Sequence, residues 1–131
     1  GVRRKLNPLP GLINGKRLVV VEDSIVRGTT LPHVVRLLKK GGAREIHLRI
    51  CAPPIMWTCH LGIDLPTRKE LIAANMTVEE IRQLLGADSL GYLSQEGLLR
   101  AVGVSRNEVC MGCFTGAHPI PVQLEMDKMA L

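Results

Sequence analysis

Two sets of residues in this chain have the types and spacing to do chemistry. The first is Glu22-Asp23 followed by Ser24-Ile25-Val26-Arg27-Gly28-Thr29-Thr30, a pair of carboxylates leading into a short loop with one glycine and two hydroxyls. Adjacent carboxylates can grip sugar hydroxyls, stabilise a developing cation or coordinate a hard divalent metal. A glycine free to adopt positive φ, followed by hydroxyls and backbone N–H groups at the start of a helix, can cradle a phosphate. Taken alone, acids at a strand end and threonines at a helix start are common turn chemistry. The spacing is neither that of a P-loop nor that of the dinucleotide fingerprint. It suits a sugar whose hydroxyls meet the acids while its 5′-phosphate sits in the loop. The second set is Cys59 with Cys110-Met111-Gly112-Cys113, and with His60 and His118 close by in sequence. A C-x-x-C in a loop points to metal binding or redox chemistry more than to a disulfide, and a tetrahedral zinc site completed by a histidine is one way to use these residues.

The elements that must position these residues follow from hydrophobic pattern. Leu18-Val19-Val20-Val21 reads as a short strand buried on both faces, which puts Glu22 and Asp23 at its carboxyl end. Residues 30–40 place Val34, Val35, Leu37 and Leu38 on one face of a helix, with Thr29 or Thr30 as N-cap and a stop at Gly41-Gly42. Glu45 to Cys51 alternates as a strand, with Cys51 expected to be an ordinary buried thiol. That is a β-α-β unit, hence a parallel sheet with a right-handed crossover, and ligands of such sheets bind beyond the carboxyl ends of the strands. The rest reads as a loop over 53–66, a short helix over 67–74, a helix over 78–85 capped by Thr77 with Glu80, a strand over 90–93 and a helix over 95–102. After Gly103 comes a tail with few periodic signals. His33 and His47 fall within the helix and a strand, and no role is assigned to them.

Composition bounds the partners. The chain has 131 residues, 46% hydrophobic and 22% charged, which is one domain's worth of globular sequence. No apolar run approaches the length of a membrane span, and the basic start GVRRK lacks the apolar stretch of a secretion signal. The expectation is a cytoplasmic protein with no membrane partner. One Trp, one Tyr and one Phe supply no stacking platform for single-stranded nucleic acid, so the net charge of +5 is expected to serve small phosphorylated ligands instead. Residues 1–16 have the composition of a mobile loop, and an opening at Gly1 without Met suggests a preceding N-terminal part.

VVVEDSIVRGTT resembles the phosphoribosyl-pyrophosphate (PRPP) loop of type I phosphoribosyltransferases, and its D-S-I-V-R-G-T-T form is similar to that of the amidophosphoribosyltransferase family. The likeness continues through LGIDLPTRKELIAANMTVEEIRQLLGADSLGYLSQEGLLRAVG, and RRKLNP resembles the end of that family's flexible loop. The resemblance implies an α/β fold, a parallel sheet flanked by helices, incomplete at the N-terminus. It divides the chain into the end of a flexible loop (1–16), the C-terminal portion of a phosphoribosyltransferase domain (17–103) and a tail with cluster ligands (104–131). It implies that Glu22 and Asp23 bind the ribose hydroxyls and Mg²⁺, with Glu22 standing where the family often has Asp, and that Ser24, Ile25, Val26, Arg27, Gly28, Thr29 and Thr30 hold the 5′-phosphate. Cys59, Cys110 and Cys113 would ligate a [4Fe–4S] cluster whose fourth ligand lies outside this chain. His60 and Leu61 depart from the aromatic residues usual beside that first cysteine.

The activity implied is formation of 5-phosphoribosylamine from PRPP and ammonia, the committing step of purine synthesis, with the ammonia supplied by a glutamine amidase domain absent from these residues. Purine nucleotides would be feedback ligands, the full-length protein a homo-oligomer, and the 131 residues alone inactive. Zinc bound by the three cysteines with His60 or His118 stands as the alternative metal. A non-catalytic PRPP- or nucleotide-binding module, a truncated remnant and a nucleobase phosphoribosyltransferase stand as the alternative functions.

Overall fold

The computed structural model describes residues 10–120. Three parallel strands in the order β1-β2-β3 form the sheet: β1 (Arg17–Glu22), β2 (Glu45–Ile50) and β3 (Ser89–Tyr92). Leu18 pairs with Ile46, Val20 with Leu48 and Glu22 with Ile50, so these positions share one face of the sheet. The crossover helix α2 (Leu31–Lys40) joins β1 to β2, as the β-α-β pattern requires. It ends on Gly41 with Lys39 and Lys40 in its last turn, where positive charge complements the exposed carbonyls.

The core lies on that one face. Ile46, Leu48 and Ile50 pack with Leu31 and Val35 of α2, with Ile72 and Ala73 of α3 (Ile72–Asn75), and with Ile81 and Leu85 of α4 (Val78–Leu85). α4 forms as the pattern dictates. Thr77 accepts the Glu80 N–H at 3.2 Å, Glu80 reaches back to the Thr77 N–H, and Gly86 closes the helix at φ 74°. α5 (Gln95–Val102) is capped by the Ser94 hydroxyl, which accepts the Gly97 N–H at 2.9 Å, and ended by Gly103.

The other face of the sheet is open, which corrects the expectation of a strand buried on both sides. Val19 and Val21 are each 65% exposed. Among the described residues the core-forming helices all pack on the face of Leu18 and Val20, and β-branched residues in series cannot tell which side will be covered. The open face is otherwise polar. His47 bridges Ser89 Oγ (2.7 Å) and Glu45 Oε2 (2.9 Å), Arg17 donates to the same Glu45 oxygen (2.8 Å), and Arg49 donates to Ser89 Oγ (2.9 Å). His47 is thus a cross-strand packing group.

Three further expectations shift. Cys51 is exposed, because the alternation that turns Ile46, Leu48 and Ile50 inward turns the next residue outward. The helix expected over 67–74 breaks in two, a 3₁₀ turn (Arg68–Glu70) and then α3. Leu71 between them adopts an extended backbone and buries its side chain completely. Residues 10–16 are tied to the body where only loop was expected. Pro10–Ile13 makes one helical turn (α1), and the Gly15 N–H donates to the Gly42 carbonyl at 2.7 Å. Arg3, Arg4 and Lys5 lie outside the described residues, as does the end of the tail beyond Ile120. Within the tail, a 3₁₀ turn (Arg106–Glu108) and the short helix α6 (Gly112–Thr115) form where no periodicity announced them.

Candidate functional site

The end of β1 delivers Glu22 half-buried and Asp23 exposed at the carboxyl edge of the sheet. Beyond them the chain turns around an open cavity of about 330 Å³ lined by Glu22 and residues 24–31. Every loop residue expected to hold phosphate lines it; Asp23 is not among the lining residues but is joined to one of them, Ser24, whose hydroxyl donates to Asp23 Oδ1 at 3.0 Å. Glu22 Oε1 accepts the Asp23 N–H at 2.9 Å. Among the described residues neither carboxylate is paired with a basic side chain, so two negative charges stand together unneutralised. Such a donor set fits a divalent cation and sugar hydroxyls.

The phosphate loop is shaped by one residue in particular. Gly28 has φ 71°, and a Cβ there would meet Ile72 Cδ1 at 2.6 Å. The left-handed backbone disfavours any side chain there, and a Cβ would also have to displace the end of the Ile72 side chain. Thr30 occupies the N-cap position of α2, but its hydroxyl makes no cap hydrogen bond, because its own backbone is already helical at φ −84°, ψ −44°. The N-cap role expected of it is therefore not filled by its side chain. Its hydroxyl and that of Thr29, both exposed on the cavity lining, are left to a ligand at the positive end of a ten-residue helix.

The cysteines come together only in part. The Met56 and Trp57 N–H groups both donate to the Cys113 carbonyl at 3.0 Å, which lays the loop carrying Cys59 against the tail. Cys59 Sγ accepts the Leu61 N–H at 3.3 Å, and the backbone N–H groups of Leu61, Ile63 and Gly62 hold its thiol below the usual cysteine range. Burial pushes the Cys113 thiol up, helped by the nearby Cys59 and Cys110. The three thiols thus share a neighbourhood, but among the described residues no three His, Cys, Asp or Glu side chains are gathered closely enough to hold a metal ion. N–H donation to sulfur is the chemistry a ligating thiolate needs, so the donor type fits a cluster or zinc while the closed geometry is not formed by these residues alone. The histidines of the zinc alternative lie beside them. His60 and His118 meet edge to face at 5.0 Å between ring centres, and His118 Nε2 is 3.2 Å from the Thr58 carbonyl.

Sequence reasoning missed the segment between the two constellations. Thr67 and Glu70 form a capping box of the same T-x-x-E form as Thr77 and Glu80. Glu70 also receives Arg27 of the phosphate loop at 3.4 Å. Arg68, in the same turn, lies over the Trp57 ring at 3.9 Å and donates to the Met56 carbonyl at 3.2 Å. Asn75 Nδ2 ties down the carbonyls of Arg68, Lys69 and Leu71. The T-R-K-E motif was the available signal for the box, but nothing in sequence showed what the box would touch.

A parallel sheet with paired acids and a phosphate-type loop at the carboxyl end of a strand has the type I phosphoribosyltransferase-like architecture. Solved structures agree. The Bacillus subtilis glutamine phosphoribosylpyrophosphate (PRPP) amidotransferase complexed with ADP and GMP superposes with a TM-score of 0.84 at 43% identity, over 95% of this chain and 29% of that one. No family model matches the sequence. Curated relatives do: the amidophosphoribosyltransferase of Methanocaldococcus jannaschii is 52% identical over 124 residues, covering 95% of this chain and 26% of the relative. That of Bacillus subtilis is 48% identical over 126 residues, covering 93% of this chain and 26% of the relative. Over nearly its whole length the chain is similar to a C-terminal part of the phosphoribosyltransferase domain of amidophosphoribosyltransferases. It spans about a quarter of the length of these relatives.

Proposed function

We propose that this chain is the PRPP-binding part of an enzyme that makes 5-phosphoribosylamine from PRPP and ammonia, the ammonia coming from glutamine through an amidase domain outside these residues. The observation that supports it most is the cavity at the end of β1, which Glu22 and an anion-type loop line together, with the Asp23 carboxylate next in the chain. The loop backbone from Ser24 to Thr30 and the Thr29 and Thr30 hydroxyls hold the 5′-phosphate. Glu22 and Asp23 hold the ribose hydroxyls and place C1′ above their negative charge. Ammonia's lone pair forms the bond to C1′ as the bond to the pyrophosphate oxygen breaks, its electrons leave with pyrophosphate, and the nitrogen then loses a proton. Cationic character on the ribose at that moment is stabilised by the carboxylates. Mg²⁺ held by Asp23 and Glu22 would neutralise charge on the leaving pyrophosphate.

The relatives' shared name favours the aminating enzyme over a nucleobase transferase or a non-catalytic module. We extend the reading to residues 1–16 as the end of a lid, 17–103 as the transferase portion and 104–131 as a tail with cluster ligands. A cytoplasmic location, homo-oligomeric assembly of the full-length protein and purine nucleotide feedback belong to it too. The ADP and GMP in the complex of the Bacillus subtilis protein support the last. The direct test is pyrophosphate release by the intact protein with Mg²⁺ and PRPP. Release is expected on adding ammonium salt and not on adding adenine, guanine or hypoxanthine, and release only with a nucleobase would overturn the assignment.

Cys59, Cys110 and Cys113 would hold a [4Fe–4S] cluster together with a ligand outside the chain. Bound, the cluster supplies a cross-link between the 53–66 loop and the tail. Anaerobically purified intact protein should then contain iron and sulfide and show a broad visible absorption that oxygen bleaches. The 131 residues alone should bind iron poorly for want of the fourth ligand. Stoichiometric zinc in both, with no iron in either, would assign the site to the cysteines and a histidine instead.

A further inference from the structure

Three consecutive residues of the phosphate loop are each held by one segment, Thr67 to Ile72, and each by a different interaction. The Ile72 N–H donates to the Val26 carbonyl at 3.0 Å. Arg27 Nε donates to Glu70 Oε1 at 3.4 Å. Gly28 packs so closely on Ile72 that a Cβ would come within 2.6 Å of Cδ1. Glu70 is itself fixed from the other side, its Oε2 accepting the Thr67 N–H (3.2 Å) and hydroxyl (3.0 Å). Its carboxyl is held below the usual range first by the Thr67 hydroxyl, then by the Thr67 N–H and by Arg27. The tie to Arg27 spans 43 positions in sequence, so it is a tertiary contact that the loop's own sequence does not impose.

We propose that Glu70 is a positioning residue for the phosphate seat, holding Arg27 against the 67–72 turn so that the loop keeps its anion-binding shape and its backbone N–H groups, not the Arg27 guanidinium, define the seat. This rests on the PRPP reading of the same loop. With Glu70 in place, Arg27 is drawn to the turn; without its charge, Arg27 is released, and the loop must be ordered at the expense of ligand binding. Glu70 is not among the residues lining the cavity, so its influence belongs in substrate affinity and leaves the chemical step alone.

Glu70→Gln isolates the contact, because the amide oxygen still accepts from Thr67 while the amide nitrogen turned toward Arg27 repels its donors. In the intact protein, with ammonia as nucleophile, Glu70→Gln should raise KM for PRPP about threefold, the scale of an exposed ion pair, with kcat and Tm unchanged. In an Arg27→Ala background the same substitution should add nothing, since the group it acts through is gone. Tighter PRPP binding in Glu70→Gln would show that Glu70 competes with phosphate for Arg27 and would overturn the proposal. So would effects of Glu70→Gln and Arg27→Ala that multiply independently, or an unchanged KM. Thr29→Ala with Thr30→Ala separates the levels. If that pair weakens PRPP binding while Glu70→Gln does not, the positioning role fails and the site assignment stands; if neither does, both fall.

Discussion

Asp23→Asn should lower kcat for pyrophosphate release by about 10²–10³-fold, the scale of removing one preorganised electrostatic group from a transition state. Asparagine keeps the shape of aspartate, and its amide oxygen can still accept the Ser24 hydroxyl that Asp23 Oδ1 accepts at 3.0 Å. What goes is one of two charges that no basic side chain among the described residues neutralises. Ground-state binding of ribose hydroxyls needs acceptors, which the amide oxygen supplies in part, whereas the cationic ribose of the transition state needs charge. The loss therefore belongs mainly in kcat, with a smaller rise in KM. Steady-state kinetics on the intact protein decide it. A change confined to KM would reduce Asp23 to a holder of the sugar.

The threonines carry the other large effect. Thr29→Ala with Thr30→Ala removes two hydroxyl donors aimed at an anion, each worth about 1.5–3 kcal/mol, so PRPP affinity should fall by roughly 10²–10⁴-fold. Folding stability should hardly change, because the Thr30 hydroxyl makes no cap bond to α2. The contrast is Thr77, whose hydroxyl accepts the Glu80 N–H at 3.2 Å and so contributes to α4. At the start of α2 Pro32 has no N–H and the His33 N–H donates to the Thr30 carbonyl at 3.1 Å, so the threonine hydroxyls are the side-chain donors this helix start offers to whatever enters.

Much of this was legible in the sequence where local chemistry decides the outcome. α4 and α5 fall on the residues expected because Thr77 and Glu80, Ser94, Gly86 and Gly103 each carry a start or stop signal that needs no tertiary partner. The β-α-β unit, its parallel pairing and the placing of Glu22 and Asp23 at a strand's end follow from pattern in the same way. Where burial decides, sequence was a poorer guide. Val19 and Val21 look like core and face outward, since β-branched residues report strand preference and not which face is covered. The helix over 67–74 breaks because full burial of Leu71 outweighs helical continuity. The grip of Thr67 to Ile72 on the phosphate loop joins residues more than forty apart, and no periodicity encodes such a contact.

The central claim is that the loop from Glu22 to Thr30 binds the 5′-phosphate and ribose of PRPP. Calorimetric titration of the intact protein with PRPP and Mg²⁺, set beside the same titration of Thr29→Ala/Thr30→Ala at matched thermal stability, tests it most directly. Saturable binding in the first and a loss of at least roughly a hundredfold in the second is the predicted result, following from two anion-directed donors. Equal affinity in the two proteins would place PRPP somewhere other than this loop and contradict the account.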